Sequence, residues 1–182
     1  MSTKDIRGFR PTNKQTFIMD TNVLIRLLYP VMSERNNAPY EIFYQLILSA
    51  GSKLIISSVQ VSEFVNRCIR FQFDLWKSEQ GTRVDFKNDY RNSDDYRDHM
   101  NAILEIIKSD ILPHSECIND RFHDMNSGKL YQYGFSYDFN DALVAEIARL
   151  NHAILITDDR DFGNYSSNIE IVTANKTLLM FR

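Results

Sequence analysis

The sequence predicts an α/β fold, a three-layer α/β/α sandwich around a central, mostly parallel sheet. Short apolar runs near residues 16–20, 54–57, 153–157 and 170–173 alternate with segments whose apolar residues recur at helical spacing. This alternation is typical of parallel strands joined by helices. In such sheets ligands bind beyond the carboxyl ends of the strands, so the residues that follow the apolar runs are the first candidates for a functional site.

Length and composition indicate one globular domain. The 182 residues are 43% hydrophobic and 25% charged, which suffices for a buried core. No run approaches the roughly 18 apolar residues of a membrane span, so we expect no membrane segment. Residues 1–14 lack the apolar centre of a signal peptide, and we interpret them as a polar N-terminal tail before a single domain over residues 15–182. Cys68 and Cys117 have neither metal-ligand nor redox spacing, which favours a reduced, cytoplasmic protein.

The charge of the chain limits the kind of partner it binds. A net charge of −3 and a pI near 5.8 argue against a protein that coats nucleic acid by bulk positive charge. They do not exclude an enzyme that cleaves nucleic acid, because acids at a metal site lower the net charge while local lysines and arginines still bind phosphates.

The first half of the chain contains two strand–helix units. The run at 16–20 is the first strand, and the apolar residues that follow it form one side of a helix that we expect to end at Pro30. A second helix covers residues 40–49. The second strand, at 54–57, leads into a helix that continues through residue 75.

The middle of the chain, about residues 74–135, is predicted to be an extended helical segment beside the sheet. Residues 77–98 mix both charge signs, as expected for a solvated loop or for the exposed ends of two long helices. Apolar residues then recur at helical spacing through residues 100–107, and Pro113 ends that helix. From residue 136 a helix, a strand, an acidic turn and a final strand follow.

Four carboxylates share one kind of position in this pattern. Asp20 ends the first strand, Glu63 lies in the second turn of the helix after the second strand, Asp141 lies near the start of a later helix, and Asp159 follows the next strand. Acids gathered at one sheet edge would repel one another unless a cation neutralised them, and hard carboxylate oxygens suit Mg²⁺ or Mn²⁺. The sequence therefore predicts a metal-dependent enzyme that acts on phosphate esters.

Each acid also has an explanation without chemistry. Asp20 and Asp138 are suitable helix N-caps, and Asp141 would complete a capping box. Glu63 would be an ordinary exposed helix residue, and Asp159 would be part of a solvated turn. The polar residues beside the acids are auxiliary candidates for the site: Thr21, Asn22, Ser57, Asp138, Thr157, Asp158 and Asp161.

Taken together, four short segments resemble the motifs of the PIN-domain nucleases, the family of the VapC-like ribonucleases. MDTNVLI resembles the first-strand motif, with its acid at Asp20, and ISSVQVSEF resembles the second, with its acid at Glu63. DFNDALVAEIA is similar to the helix that carries the third acid, here Asp141, and ILITDDRDF is similar to the last motif, with Asp159. The stretch 74–135 is longer than the equivalent part of compact family members.

The resemblance implies a PIN-like fold and a metal-dependent endoribonuclease that hydrolyses phosphodiester bonds of single-stranded RNA by metal-activated water. Its catalytic residues, which also bind the metal, would be Asp20, Glu63, Asp141 and Asp159, with Mg²⁺ or Mn²⁺ as the cofactor. The expected partner is an RNA substrate. The resemblance also suggests that the protein is a toxin of a toxin–antitoxin pair, with an antitoxin as its partner. A homodimer is a further expectation.

Other interpretations of the acidic strand ends differ in what they require. A phosphoacceptor receiver domain would need a lysine at a late strand end, where this chain has Asp158 and Asp159. A haloacid-dehalogenase-type phosphatase would need Asp-x-Asp at the first strand, where this chain has Asp20-Thr21-Asn22. A non-catalytic RNA-binding or scaffold protein of the same fold stays open, because an intact set of acids does not prove turnover.

Overall fold

The computed structural model describes residues 2–29, 31, 37–80, 83–165 and 168–180. Pro30, where the sequence predicts the end of the first helix, lies outside the described residues. Within the described part of the chain, no helix has the combination of length and apolarity that crossing a bilayer requires.

Six parallel strands form one central sheet, which confirms the predicted fold class. The strands are β1 (Ser2–Asp5), β2 (Thr16–Met19), β3 (Lys53–Ile56), β4 (Glu116–Cys117), β5 (Ile154–Ile156) and β6 (Glu170–Thr173). Their order across the sheet is β1-β6-β5-β2-β3-β4. The strands β2 and β5 are therefore central neighbours, and the residues that follow them meet at one edge.

In the described part of the chain, six α-helices cover both faces of the sheet. They are α1 (Thr21–Leu28), α2 (Ala38–Ser49), α3 (Ser58–Gln80), α4 (Asp94–Ile106), α5 (Ser127–Ser136) and α6 (Phe139–Leu150). Successive strand side chains point to opposite faces, so Phe17 and Met19 join one core with α1 to α4, while Ile18 joins a second core with α5 and α6. This is the three-layer arrangement expected of a parallel sheet, whose faces are both buried.

The N-terminal residues are part of the sheet, which corrects the interpretation of residues 1–14 as a polar tail. β1 pairs with β6 from Ser2 opposite Glu170 to Asp5 opposite Thr173. Ile6 and Phe9 are buried behind it. The polar composition misled the sequence interpretation because an edge strand needs few apolar side chains, so its pairing leaves little pattern in the sequence.

The polar stretch after residue 76 is anchored by an aromatic cluster between the end of α3 and the start of α4. Neighbouring ring centroids lie 5.2–6.4 Å apart within the set Phe73, Trp76, Phe86, Tyr90 and Tyr96. Tyr90 is wholly buried. The segment is thus held in place by packed rings spaced among charged residues, which is why its composition alone suggests a solvated loop.

Candidate active site

The carboxyl edge of the sheet opens into a cleft of about 970 Å³ beside α1, α3 and α6. Three of the four predicted acids line it, namely Glu63, Asp141 and Asp159. The fourth, Asp20, is only 2% exposed and interacts electrostatically with both Glu63 and Asp141. The topology therefore brings all four acids to one region of the molecule.

Asp20 accepts hydrogen bonds from α1 and from the residue that follows β5. It is the N-cap of α1, and its carboxylate accepts from the backbone N–H and the side-chain Nδ2 of Asn22, each at 3.3 Å. The Thr157 hydroxyl, which follows β5, donates to Asp20 Oδ2 at 2.9 Å. Burial nevertheless raises the pKa of Asp20 to about 6, against the opposing effect of these hydrogen bonds.

Glu63 reaches the cleft from the second turn of α3. The buried Thr21 hydroxyl donates to Glu63 Oε2 at 2.9 Å. Arg67 Nη1, one turn further along α3, lies 3.6 Å from Glu63 Oε1. Burial raises the pKa of Glu63, and the contacts with Thr21 and Arg67 reduce this shift. Thr21 thus connects the start of α1 to the acid on α3.

Asp141 carries the strongest sign of repulsion in the site. It lies in the first turn of α6 and is 9% exposed. Burial, and after it the charges of Asp20, Asp138, Asp159 and Glu63, together raise its pKa to about 8. Four negative groups that act on one carboxyl form a region where a positive ligand would be bound favourably.

The two adjacent acids after β5 have different surroundings. Asp159 lines the cleft and accepts from the backbone N–H of Asp161 at 2.9 Å, and its own N–H donates to the Thr157 hydroxyl. Asp158 instead accepts from Arg26 Nη1 at 2.5 Å and from the Tyr40 hydroxyl at 2.7 Å. Asp158 therefore ties α1 and α2 to the end of β5, whereas Asp159 and Asp161 belong to the cleft.

The remaining auxiliary candidates support the acids. Asp138 is the N-cap of α6, accepts from the N–H groups of Asn140 and Asp141, and lines the cleft. Ser57 is buried and its hydroxyl donates to Gln60 Oε1 at 3.2 Å. Ser57 thus contacts Gln60, which lies one turn before Glu63 on α3.

Gln60 is a positioning residue that the sequence interpretation missed. It is wholly buried and precedes Glu63 by one helical turn. Its Nε2 donates to the carbonyl of Met19 at 2.5 Å, while its Oε1 accepts from the N–H of Ser57 at 3.0 Å. Gln60 thereby links the end of β2, next to Asp20, to the start of α3. A polar residue one turn before a candidate acid was the available signal.

Arg67 and Tyr137 were also missed. Arg67 donates to Asn22 Oδ1 at 2.6 Å and lines the cleft opposite the acids of α6. Its spacing of four residues from Glu63 is the spacing of a helical ion pair, and this could have identified it. Tyr137 lines the cleft beside Asp138, and nothing in the sequence separates it from the other tyrosines.

The chemistry of the cleft fits a hard divalent cation. Among the described residues, no three histidine, cysteine or acidic side chains form a ready-made metal site. The acids of the cleft nevertheless offer only oxygen atoms, which Mg²⁺ and Mn²⁺ prefer. The raised pKa values of Asp20 and Asp141 result from burial and from repulsion between the acids. A bound cation would favour the ionised carboxylates and so oppose both effects. The oxygen ligands are therefore suitable for such a cation, although the side chains are not at metal-binding distances from one another.

Comparison with known proteins gives one match over most of the chain. The family model of the PIN domain matches residues 17–168. No individually curated protein matches the sequence.

Solved structures similar to this one include two from bacteria. VapBC2 from Rickettsia felis, bound to a DNA fragment from its promoter, is 17% identical, with 87% of this chain and 98% of that chain covered and a TM-score of 0.49. FitAcB from Neisseria gonorrhoeae is 16% identical, with 86% of this chain and 96% of that chain covered and the same TM-score of 0.49.

Proposed function

This chain belongs to the PIN domain family, and we propose that it is a metal-dependent endoribonuclease that cleaves single-stranded RNA. The observation that carries the proposal is the gathering of Asp20, Glu63, Asp141 and Asp159 at one end of a parallel sheet. Two of these acids are buried with raised pKa values. Such an arrangement is costly for stability, and perturbed acids of this kind cluster at functional sites.

The four acids would bind the cation as two pairs in the proposed mechanism. Asp20 and Asp141, the most buried of the four, would hold Mg²⁺ or Mn²⁺ at the floor of the cleft, and Glu63 and Asp159 would complete the ligand set from its walls. When bound, the cation would neutralise the acids, polarise the scissile phosphate and lower the pKa of a water molecule. No nucleophilic side chain is needed for this hydrolysis.

The chain's own hydrogen bonds would fix the geometry of the acids. Thr157 and Asn22 orient the carboxylate of Asp20, and Thr21 orients that of Glu63. Arg67 is placed to contact a phosphate oxygen that enters the cleft. Fixed polar groups that face a reacting centre lower the barrier because they need little reorganisation during the reaction.

The proposal is tested by cleavage of a labelled single-stranded RNA with Mg²⁺ or Mn²⁺. Asp20→Asn should abolish cleavage and leave the circular dichroism spectrum unchanged, because it removes a metal-binding charge without removing volume. Asp98→Asn, which changes an exposed acid on α4, is the matched control and should cleave normally. Retained activity in Asp20→Asn, or full activity in excess EDTA, would refute the mechanism.

A non-catalytic RNA-binding or scaffold protein of the same fold is the alternative. It would bind the same RNA with and without a divalent cation and produce no cleavage product. The assay above therefore separates the two functions directly.

The finer proposals of a toxin role, an antitoxin partner and a homodimer rest on the family resemblance. A small DNA-binding protein encoded in the adjacent reading frame that inhibits cleavage on addition would support the toxin role. We also place the activity in the cytoplasm, where the free thiols of Cys68 and Cys117 would remain reduced.

A further inference from the structure

One wall of the cleft exposes an aromatic ring to the space beside the acids. Tyr137 lies between the end of α5 and the start of α6, lines the cleft and is 46% exposed. It rests on the buried ring of Tyr133, with centroids 4.8 Å apart and planes inclined by 31°. Tyr133 in turn packs edge-on against buried Tyr165, with a centroid distance of 4.8 Å. The ring of Tyr137 thus packs against Tyr133 and is still partly exposed to solvent.

A second pair of exposed rings joins α5 to α6. Tyr131 and Phe139 are both exposed, and their rings stack with centroids 6.4 Å apart and planes inclined by 13°. Phe139 lies between Asp138 and Asn140, which both line the cleft. We name Tyr131, Tyr137 and Phe139 the aromatic rim.

The position of the aromatic rim is fixed by a close contact between α5 and α6. A Cβ atom on Gly134 would lie 2.6 Å from Phe139 Cδ2 and 3.2 Å from Phe139 Cα. Any larger residue at position 134 would push Phe139 aside, so glycine allows α5 and the start of α6 to lie this close. The exposed rings are therefore parts of a packed corner and not the ends of a loose loop.

The charge of the cleft explains what such rings could bind. Among the described residues that line it, Arg67 is the one lysine or arginine, against Glu63, Asp138, Asp141, Asp159 and Asp161. An acidic cleft of this kind attracts a phosphate backbone weakly through side chains alone. Base stacking on aromatic rings adds affinity without added positive charge, and it requires bases that are not paired in a duplex.

We infer that the aromatic rim is a base-stacking surface that holds the unpaired nucleotides next to the phosphate bound in the cleft. This inference rests on the proposed function, since it assumes a nucleic-acid substrate. It adds the residues that select an unpaired strand: Tyr137 beside the acids, then the stacked pair Tyr131 and Phe139. Exposed aromatic rings also occur at protein interfaces, and that alternative is an outcome of the test below.

The test measures binding without cleavage. The full chain is titrated, in metal-free buffer, into a fluorescein-labelled single-stranded RNA of about 12 nucleotides and into the duplex of the same sequence. Tyr137→Ala should raise the Kd for the single strand about tenfold, because one stacked base is lost. Tyr137→Phe keeps the ring and should stay within about twofold of the parent protein.

Two further variants make the result specific. Tyr131→Ala should weaken binding of the single strand in the same direction, through loss of the stacked pair. Phe122→Ala removes an exposed ring that belongs to neither the cleft nor the aromatic rim, and its Kd should not change. Because stacking adds no charge, the Kd of Tyr137→Ala should rise at every salt concentration with an unchanged salt slope.

Each contrary outcome has a distinct meaning. An unchanged Kd in both Tyr137→Ala and Tyr131→Ala, or an equal loss of affinity for duplex RNA, overturns the inference. A change of sedimentation from dimer to monomer with unaltered RNA binding assigns the aromatic rim to a protein interface and also overturns it. Binding that depends on Tyr137 in a chain that never cleaves RNA would sink the nuclease proposal and leave the stacking surface standing.

Discussion

Replacing Asp141 with asparagine should stabilise the metal-free protein. The carboxyl of Asp141 is 9% exposed, and burial together with neighbouring acids raises its pKa from 3.8 to about 8. The unfolded chain therefore releases this proton near pH 4, while the folded chain keeps it until about pH 8. The folded state is disfavoured over that whole interval, and Asp141→Asn removes the titrating group at nearly constant volume.

The size of the effect follows from the pKa difference. The pKa of Asp141 in the unfolded chain lies about 3 pH units below pH 7, whereas its pKa in the folded chain lies above pH 7. Each unit lowers the free energy of unfolding by about 1.36 kcal/mol, so the loss at pH 7 is at most about 4 kcal/mol. Water and ions that enter the open cleft reduce this cost, so we expect a gain of about 2 kcal/mol. For a chain of this length that gain raises Tm by about 4–8 °C.

The assay is thermal unfolding of the parent protein and Asp141→Asn between pH 4 and pH 9 in EDTA. The stability of the parent should fall as the pH rises from about 4 to about 8 and level off above that. The variant should keep only the part of this slope that Asp20 and Glu63 cause at the acidic end, and should lack the part between about pH 6 and pH 8. The two proteins should converge at the acidic end, and Asp98→Asn should follow the parent. An Asp141→Asn protein less stable than the parent at pH 8 would refute the reasoning, since it would show that the carboxylate is not repelled.

Three other substitutions test how the site is supported. Gln60→Met keeps the volume of a buried side chain but removes its bonds to Met19 and Ser57, so unfolding experiments should show a loss of about 2 kcal/mol. Steady-state cleavage by this variant should show kcat reduced about tenfold with KM nearly unchanged, because the misplaced acids still admit substrate. Asp158→Asn and Asp159→Asn compare adjacent acids: the first disrupts an ion pair with Arg26 whose side chains are both 14% exposed and should destabilise the fold by about 2 kcal/mol. The second should leave the stability nearly unchanged and abolish cleavage.

The sequence predicts those features that depend on local patterns. The strands at 16–20, 54–57, 153–157 and 170–173 are found close to their predicted bounds, because buried parallel strands are nearly continuous apolar runs. β1 and β4 escape prediction because one is a polar edge strand and the other has only two residues. An edge strand is specified by its partner and hardly by its own composition.

The candidate site shows the same division. The acids were candidates because Asp20 and Asp159 follow strands, Asp141 lies near the start of a helix and Glu63 lies in the second turn of one. These positions can be recognised in the sequence alone. For Gln60 the available signal was its place one turn before Glu63, and for Tyr137 there was none. Their roles depend on contacts with Met19 and Tyr133 and on the walls of the cleft. The different surroundings of Asp158 and Asp159 arise from extended backbone, in which neighbouring side chains point apart.

The pairing of β1 with β6 also affects the order of events during synthesis. Residues 2–5 are made before every other strand, yet their partner at residues 170–173 is made after all of them. Until then Ile6, which is buried in the finished protein and whose N–H donates to the carbonyl of Thr173, lacks this partner. Contacts of such long sequence separation form late and slowly. We therefore expect the nascent chain to pass through a state in which one edge of the sheet is unpaired. In that state it depends most on chaperones to avoid aggregation.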